Sequence, residues 1–345
     1  MKKLIAILTM VMALALTGCV DTDKDNLYNE ALKSMEAGDY QTAIDTLQAS
    51  IDKEARLAES YRAQGISYLE IGNNAAAVAS LARSLNSMET TDEAFEKDVT
   101  YYLAEARTKH GQIGEAIECY TDILKKGKDE QSLFMRGKLQ LHEGNDSAAK
   151  EDFDLATEDS KDYEVYISIF NVYDAVKMTV EGQEYLDKAL EIKPEKAADY
   201  YERGRIYYYM KDYDSAVAEL TTAINEGDEV AILLLGKVYI AKEDASSARS
   251  MYQKYLETEK NKAKAYNGLA LCDIYDKNYD AALANIEKGL AENNKEEEQE
   301  LLYNEIVAYE YKLDFQTAKA KMAAYLEAYP DDEAAIRENE FLQSR

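Results

Sequence analysis

The chain has 345 residues and a formal net charge of −27, from 40 basic and 67 acidic side chains. At 46% hydrophobic residues it has enough for a core and is no disordered acidic tail, while only 2 prolines and 15 glycines point to helix over loop-rich β structure. Two histidines and three cysteines leave little for a metal or imidazole site, and the charge has the wrong sign for nucleic acid.

The first elements in chain order form an address. Lys2 and Lys3 precede an apolar run from Leu4 to Leu16, and Leu16-Thr17-Gly18-Cys19 follows, the layout of a secretory signal over residues 1–18. A membrane-spanning helix needs roughly 20 apolar residues, and Asp21, Asp23 and Asp25 arrive too early for one. These aspartates do not make an EF-hand either. Counted from Asp21, the positions that need Gly and Glu hold Asn26 and Leu32. The Leu-Thr-Gly-Cys tetrapeptide resembles a bacterial lipoprotein box. That resemblance implies cleavage before Cys19, a lipid thioether on its sulfur, acylation of the new N-terminus, and residues 19–23 as a lipidated tether. It places the chain outside the cytoplasm, on the cell membrane or an outer membrane.

A repeat follows. Gly38-Asp39-Tyr40-Gln41-Thr42-Ala43 recurs as Gly72…Ala77, Gly111…Ala116 and Gly144…Ala149, and Tyr213-Asp214-Ser215-Ala216 and Tyr279-Asp280-Ala281-Ala282 restate it. The series Ala43, Ala77, Ala116, Ala149, Gly182, Ala216, Ala248, Ala282, Ala318 is spaced by 32 to 39 residues. A period near 34 with helical apolar spacing means stacked helix pairs, each too small to bury its own face.

These units resemble the tetratricopeptide repeat. Small residues stand at position 8 (Ala31, Gly65, Ala104, Gly137, Gly204, Gly236, Ala270) and large ones at position 24 (Leu47, Leu81, Tyr120, Phe153, Leu186, Leu220, Tyr252, Ile286, Met322). Pro194 and Pro330 fall at position 32, where the second helix ends. The resemblance implies an all-α, right-handed α-solenoid of about nine helix pairs over residues 24–332. Residues 333–345 form a C-terminal capping helix, and no span of this sequence remains for a catalytic domain. The fifth unit, with Phe170 at position 8 and Gly182 at position 20, predicts a distorted or differently packed pair. Asp273 and Glu305 also depart from the pattern. The insertion around Met88–Asp92 is either a hinge between sub-arrays or a longer loop.

No nucleophile elbow, dinucleotide, phosphate-loop or zinc-protease motif is present. No cofactor, metal or catalytic residue is expected. His110 and His142 read as polar ends of first helices, and Cys119 and Cys272 as free buried thiols. What remains is a surface. In such arrays positions 2, 5, 9, 12 and 13 of the first helices face the groove. Eight of the 28 tyrosines fall there: Tyr28, Tyr101, Tyr201, Tyr208, Tyr209, Tyr275, Tyr303 and Tyr311. Sixteen others fall at core positions 4, 11, 17, 24 or 27. Phe134, Lys138, Arg205 and Lys237 complete the candidate groove, since Tyr and Arg favour interfaces. The opposing expectation is that these tyrosines pack against the next repeat. The function expected is a lipid-anchored scaffold for protein or peptide partners; the alternative is a glycan-binding surface lipoprotein.

Overall fold

The computed structural model describes residues 24–89, 92–258 and 260–345. The expected signal (1–18), Cys19 and the tether (19–23) lie outside the described residues, as do Thr90 and Thr91 of the insertion. Among the described residues there are nineteen helices and no strand, and no helix is long and apolar enough to cross a membrane.

The chain forms two compact units that divide between Asp159 and Ser160. The first holds four helix pairs: α1 (Lys24–Glu36) with α2 (Tyr40–Asp52), α3 (Leu57–Glu70) with α4 (Asn74–Asn86), α5 (Glu93–Lys109) with α6 (Ile113–Lys125), and α7 (Glu130–His142) with α8 (Asp146–Thr157). The second holds five: α9 (Tyr163–Ala175) with α10 (Thr179–Leu190), α11 (Ala197–Tyr209) with α12 (Tyr213–Asn225), α13 (Val230–Ala241) with α14 (Ala245–Leu256), α15 (Ala263–Tyr275) with α16 (Tyr279–Ala291), and α17 (Lys295–Tyr311) with α18 (Phe315–Ala328). The capping helix α19 (Glu333–Gln343) closes it. Each unit is a solenoid of helix pairs, the all-α fold that the repeat implies.

The paired helices are joined by three residues throughout, and an aspartate or asparagine caps most second helices. Asp39, Asn73, Asp212, Asp244 and Asp314 each accept a backbone N–H of the first turn. The alanine ladder shows why the sequence repeats. Ala43, Ala77, Ala116, Ala149, Ala216, Ala248, Ala282 and Ala318 are all fully buried, where the two helices of a pair approach. The glycines at position 8 serve the same approach. A Cβ on Gly65 or Gly204 would lie 2.5 Å from Cγ of Leu81 or Leu220. Gly236 and Gly268 flank the buried ring of Tyr252, at 2.7 and 2.3 Å from such a Cβ.

The fifth pair is differently packed rather than distorted. Its large residue, Phe170, sits on the first helix and its glycine on the second, where a Cβ on Gly182 would meet Phe170 Cδ2 at 3.2 Å. The contact is kept with its two sides exchanged. The insertion is no hinge between the compact units, which part about 70 residues further on. Asp92 caps α5, a helix of 17 residues where most first helices have 12 to 14, so the insertion adds a turn of helix. α17 is lengthened in the same way. His142 ends α7 and His110 follows α5, while Cys119 and Cys272 are buried free thiols.

Candidate partner-binding face

All 28 tyrosines lie within the described residues. None of the eight groove tyrosines is fully buried, and Tyr275 and Tyr311, at 53% and 60%, are the two exposed tyrosines of the chain. The fully buried Tyr120, Tyr166, Tyr173, Tyr252, Tyr255 and Tyr325 all stand at core positions. Tyr102, Tyr163 and Tyr185 are also buried, at positions the frame did not mark as core.

In the first unit the groove candidates are engaged to different degrees. Tyr101, on α5, donates its hydroxyl to Asp129, the N-cap of α7, lies 2.8 Å from the Ser132 hydroxyl, and packs edge-on against Tyr120. Burial, with the neighbouring Asp129 carboxylate, raises its phenol well above the ordinary value. Burial also pushes Asp129 upward, but bonds from Lys97, Tyr101 and Ser132 outweigh this and hold it at about 2. Tyr101 is thus a link between successive repeats. Phe134 tilts against Phe153 within its own pair, 6.1 Å between rings. Tyr28 lies under the Arg56 guanidinium. Lys138 is exposed, with no ion pair among the described residues. A cavity of about 230 Å³ opens beside α5, but its lysines are tied down: Lys97 on Asp129, Lys126 on Glu96 at 2.6 Å, Lys128 on Glu158 at 3.2 Å.

In the second unit Tyr201, Arg205, Tyr208 and Tyr209 do share one helix, α11. Arg205 donates to Glu164 at 2.9 Å and Glu202 at 2.6 Å and leans on the Tyr201 ring. Burial disfavours its charge, yet Glu202 and Glu164 more than offset this and hold it above the ordinary arginine value. Its charge is therefore neutralised inside the chain, where it pins α11 to α9. Tyr209 packs on Phe170 at 5.6 Å and Tyr208 on Tyr213 at 6.1 Å. Tyr303 meets Tyr325 edge-on at 5.8 Å. What stays open is Tyr275 on α15, Tyr311 at the end of α17, and Lys237 on α13, which is exposed and has no ion pair among the described residues. Tyr311 stacks on Tyr279, with ring centroids 6.0 Å apart and planes within 10°.

A second set of polar residues recurs at fixed spacing. Position 7 of the first helix reaches position 23 of the second, sixteen residues on. Gln64 accepts from Ser80 at 2.9 Å, Arg136 grips Asp152 with two bonds of 2.9 and 2.6 Å, and Arg203 meets Glu219 at 3.0 Å. Glu305, off-pattern in sequence, is the same contact reversed, with Lys321 at 2.8 Å. The other off-pattern acid, Asp273, is buried and held by Arg249 at 2.8 Å and Asn285 at 2.7 Å. Complementary polar types sixteen apart were the signal that could have found these clasps.

Tetratricopeptide-repeat family profiles match residues 28–90 and 200–225. The chain is 20% identical over 264 residues to a BBSome complex member BBS4 homolog of Drosophila melanogaster, covering 76% of this chain and 49% of that protein. It is 22% identical over 208 residues to an Hsp70-Hsp90 organizing protein of Triticum aestivum, covering 57% of this chain and 34% of that one. The chain thus spans about half or less of the curated relatives it matches. A solved tetratricopeptide repeat protein from Parabacteroides merdae is similar at 19% identity and a TM-score of 0.43, covering 72% of this chain and 98% of its own. With the small residues of positions 8 and 20 seated between paired helices and two stretches matched by the family profiles, the chain is a tetratricopeptide-repeat protein.

Proposed function

We propose that the chain is a lipid-anchored, extracytoplasmic scaffold that seats a protein or peptide partner on the first-helix faces of its repeats, and that it has no catalytic role. The observation that carries the reading is the pair Tyr275 and Tyr311, left open to solvent while the other 26 tyrosines are packed or half-packed. Tyrosine offers a large contact area at little entropic cost, and the exposed Lys237 on the same unit adds a charge for a partner's carboxylate or carbonyl. The names of the two curated relatives, a complex member and an organizing protein, agree with a role in assembly. Membrane attachment rests on the Leu16–Cys19 tetrapeptide, since two or three acyl chains anchor a protein stably where one does not.

Tyr275→Ala combined with Tyr311→Ala tests the face. Crosslinking on intact cells should recover much less partner, with the melting temperature changed by a few degrees at most; undiminished capture would sink the reading. Cys19→Ala tests the anchor, and is expected to leave the chain unprocessed or released from membranes. Unchanged lipid labelling and fractionation would refute that part. The stacked Tyr279–Tyr311 rings favour a second reading, a glycan laid on an aromatic platform. A peptide held through Lys237 weakens as salt rises, whereas sugar stacking hardly responds.

A further inference from the structure

The second unit ends in an acid pair. Glu310, in the last turn of α17, buries one carboxylate oxygen, Oε1, where no donor reaches it. Glu338 stands on α19 between Ala335 and Leu342, which share an apolar cluster with Ile306 one turn before Glu310, and its carboxyl acts on that of Glu310 through charge and hydrogen bonding. Two ionised carboxylates have acceptors only and cannot bond one another. One proton between them supplies the donor that a pair of carboxylates lacks, and an unsatisfied buried acceptor is costly.

The helix that carries Glu338 is lightly anchored. α19 has two buried residues, Ala335 and Leu342, which sit on Ile306, Ala318, Met322 and Tyr325. Its N-cap, Asp332, accepts the Tyr325 hydroxyl at 2.6 Å. With so small a seat, an attraction or a repulsion between α17 and α19 alters how firmly the cap is held. We propose that Glu310 and Glu338 form a proton-operated latch: sharing one proton they clip the capping helix onto α17, and losing it to solvent they loosen that helix from its apolar seat.

The surroundings leave the pair to itself. On α19 the neighbouring Arg337 pairs with Glu333 at 3.5 Å. Lys321 of α18 is bonded to Glu305 of α17, and Asp280 of α16 to Lys312 just beyond α17. On α17 itself, Tyr303 is raised by burial and then by Glu338 and Glu310. No cation is among the causes acting on Glu310; burial first, then Glu338, push its carboxyl up to about 7. The sign follows. A carboxyl raised from 4.5 to about 7 in the folded chain gives stability that is complete below pH 4.5 and is lost as pH rises to about 7.

The test is amide hydrogen exchange across residues 333–343 of the full chain from pH 5.5 to 8.5, corrected for intrinsic rates. Protection is expected to fall by about tenfold or more through pH 7, one pK unit or more of differential binding. Glu310→Gln, which carries its own donor, should hold the protection high and flat; Glu338→Gln supplies the donor from the other side and should do the same. A flat wild-type profile, or glutamine variants that follow the wild-type fall, would overturn the latch.

Discussion

The middle residue of every three-residue turn between paired helices has a positive φ. In the first unit these residues are Gly38, Gly72, Gly111 and Gly144; in the second they are Lys177, Lys211, Glu243, Lys277 and Leu313, with φ between 61° and 63°. The geometry satisfies the last carbonyls of the first helix. In the final turn, Leu313 N–H reaches Glu310 O at 2.8 Å and Asp314 N–H reaches Tyr309 O at 2.9 Å. A side chain in this conformation costs roughly 1–2 kcal/mol, and Leu313, 72% exposed, recovers little of that by packing. Leu313→Gly is therefore expected to stabilise the chain by about 0.5–1 kcal/mol, after the greater freedom of glycine in the unfolded chain is subtracted. A thermal or denaturant midpoint that moves down instead would show that Leu313 packs more usefully than its exposure suggests.

Between the helices of a pair, two kinds of contact act together. The apolar kind was legible in the sequence, because position 20 admits only a small residue and the alanines therefore recur at a readable period. The polar kind was not, since a clasp such as Arg136–Asp152 is marked by complementary types at two separate positions rather than by one recurring residue. The same blindness hid the role of Arg205, whose partner Glu164 is 41 residues away on another pair. None of the eight groove tyrosines is fully buried, but neither are ten of the sixteen at core positions, and the frame held no sign that Tyr101 would link to the next repeat's cap. The clasp has a measurable consequence. Asp152 is 1% exposed, so Arg136→Ala strands a buried carboxylate and should cost about 3 kcal/mol. Pairing that change with Asp152→Leu should recover most of the loss in urea unfolding. No recovery would mean that Arg136 acts through its packing.

At the scale of the whole chain, charge is the dominant fact. Even if every basic side chain found an acid, 27 negative charges would stay unmatched, and the best-placed arginines, Arg62, Arg136, Arg203, Arg205 and Arg249, are already paired. Self-repulsion of this size opposes compactness and is screened by salt. Raising sodium chloride from about 20 mM to about 300 mM should therefore raise the melting temperature by a few degrees, because the Debye length drops several-fold. A falling midpoint would mean that the ion pairs outweigh the repulsion.

The position 7–23 clasp reaches beyond stability. Each one closes within a single unit of about 34 residues, although Gln64, Arg136 and Arg203 also bond a group of the preceding unit. A whole repeat gained or lost by recombination carries both ends of such a clasp with it, whereas pairs that cross repeats, such as Arg205 with Glu164 and Arg62 with Asp98, would be broken. A cut between positions 7 and 23 of a unit would separate one side of a clasp from its mate. The clasps thus confine tolerated changes in length to steps of one repeat, and make the repeat, rather than the helix, the unit in which such a chain is edited.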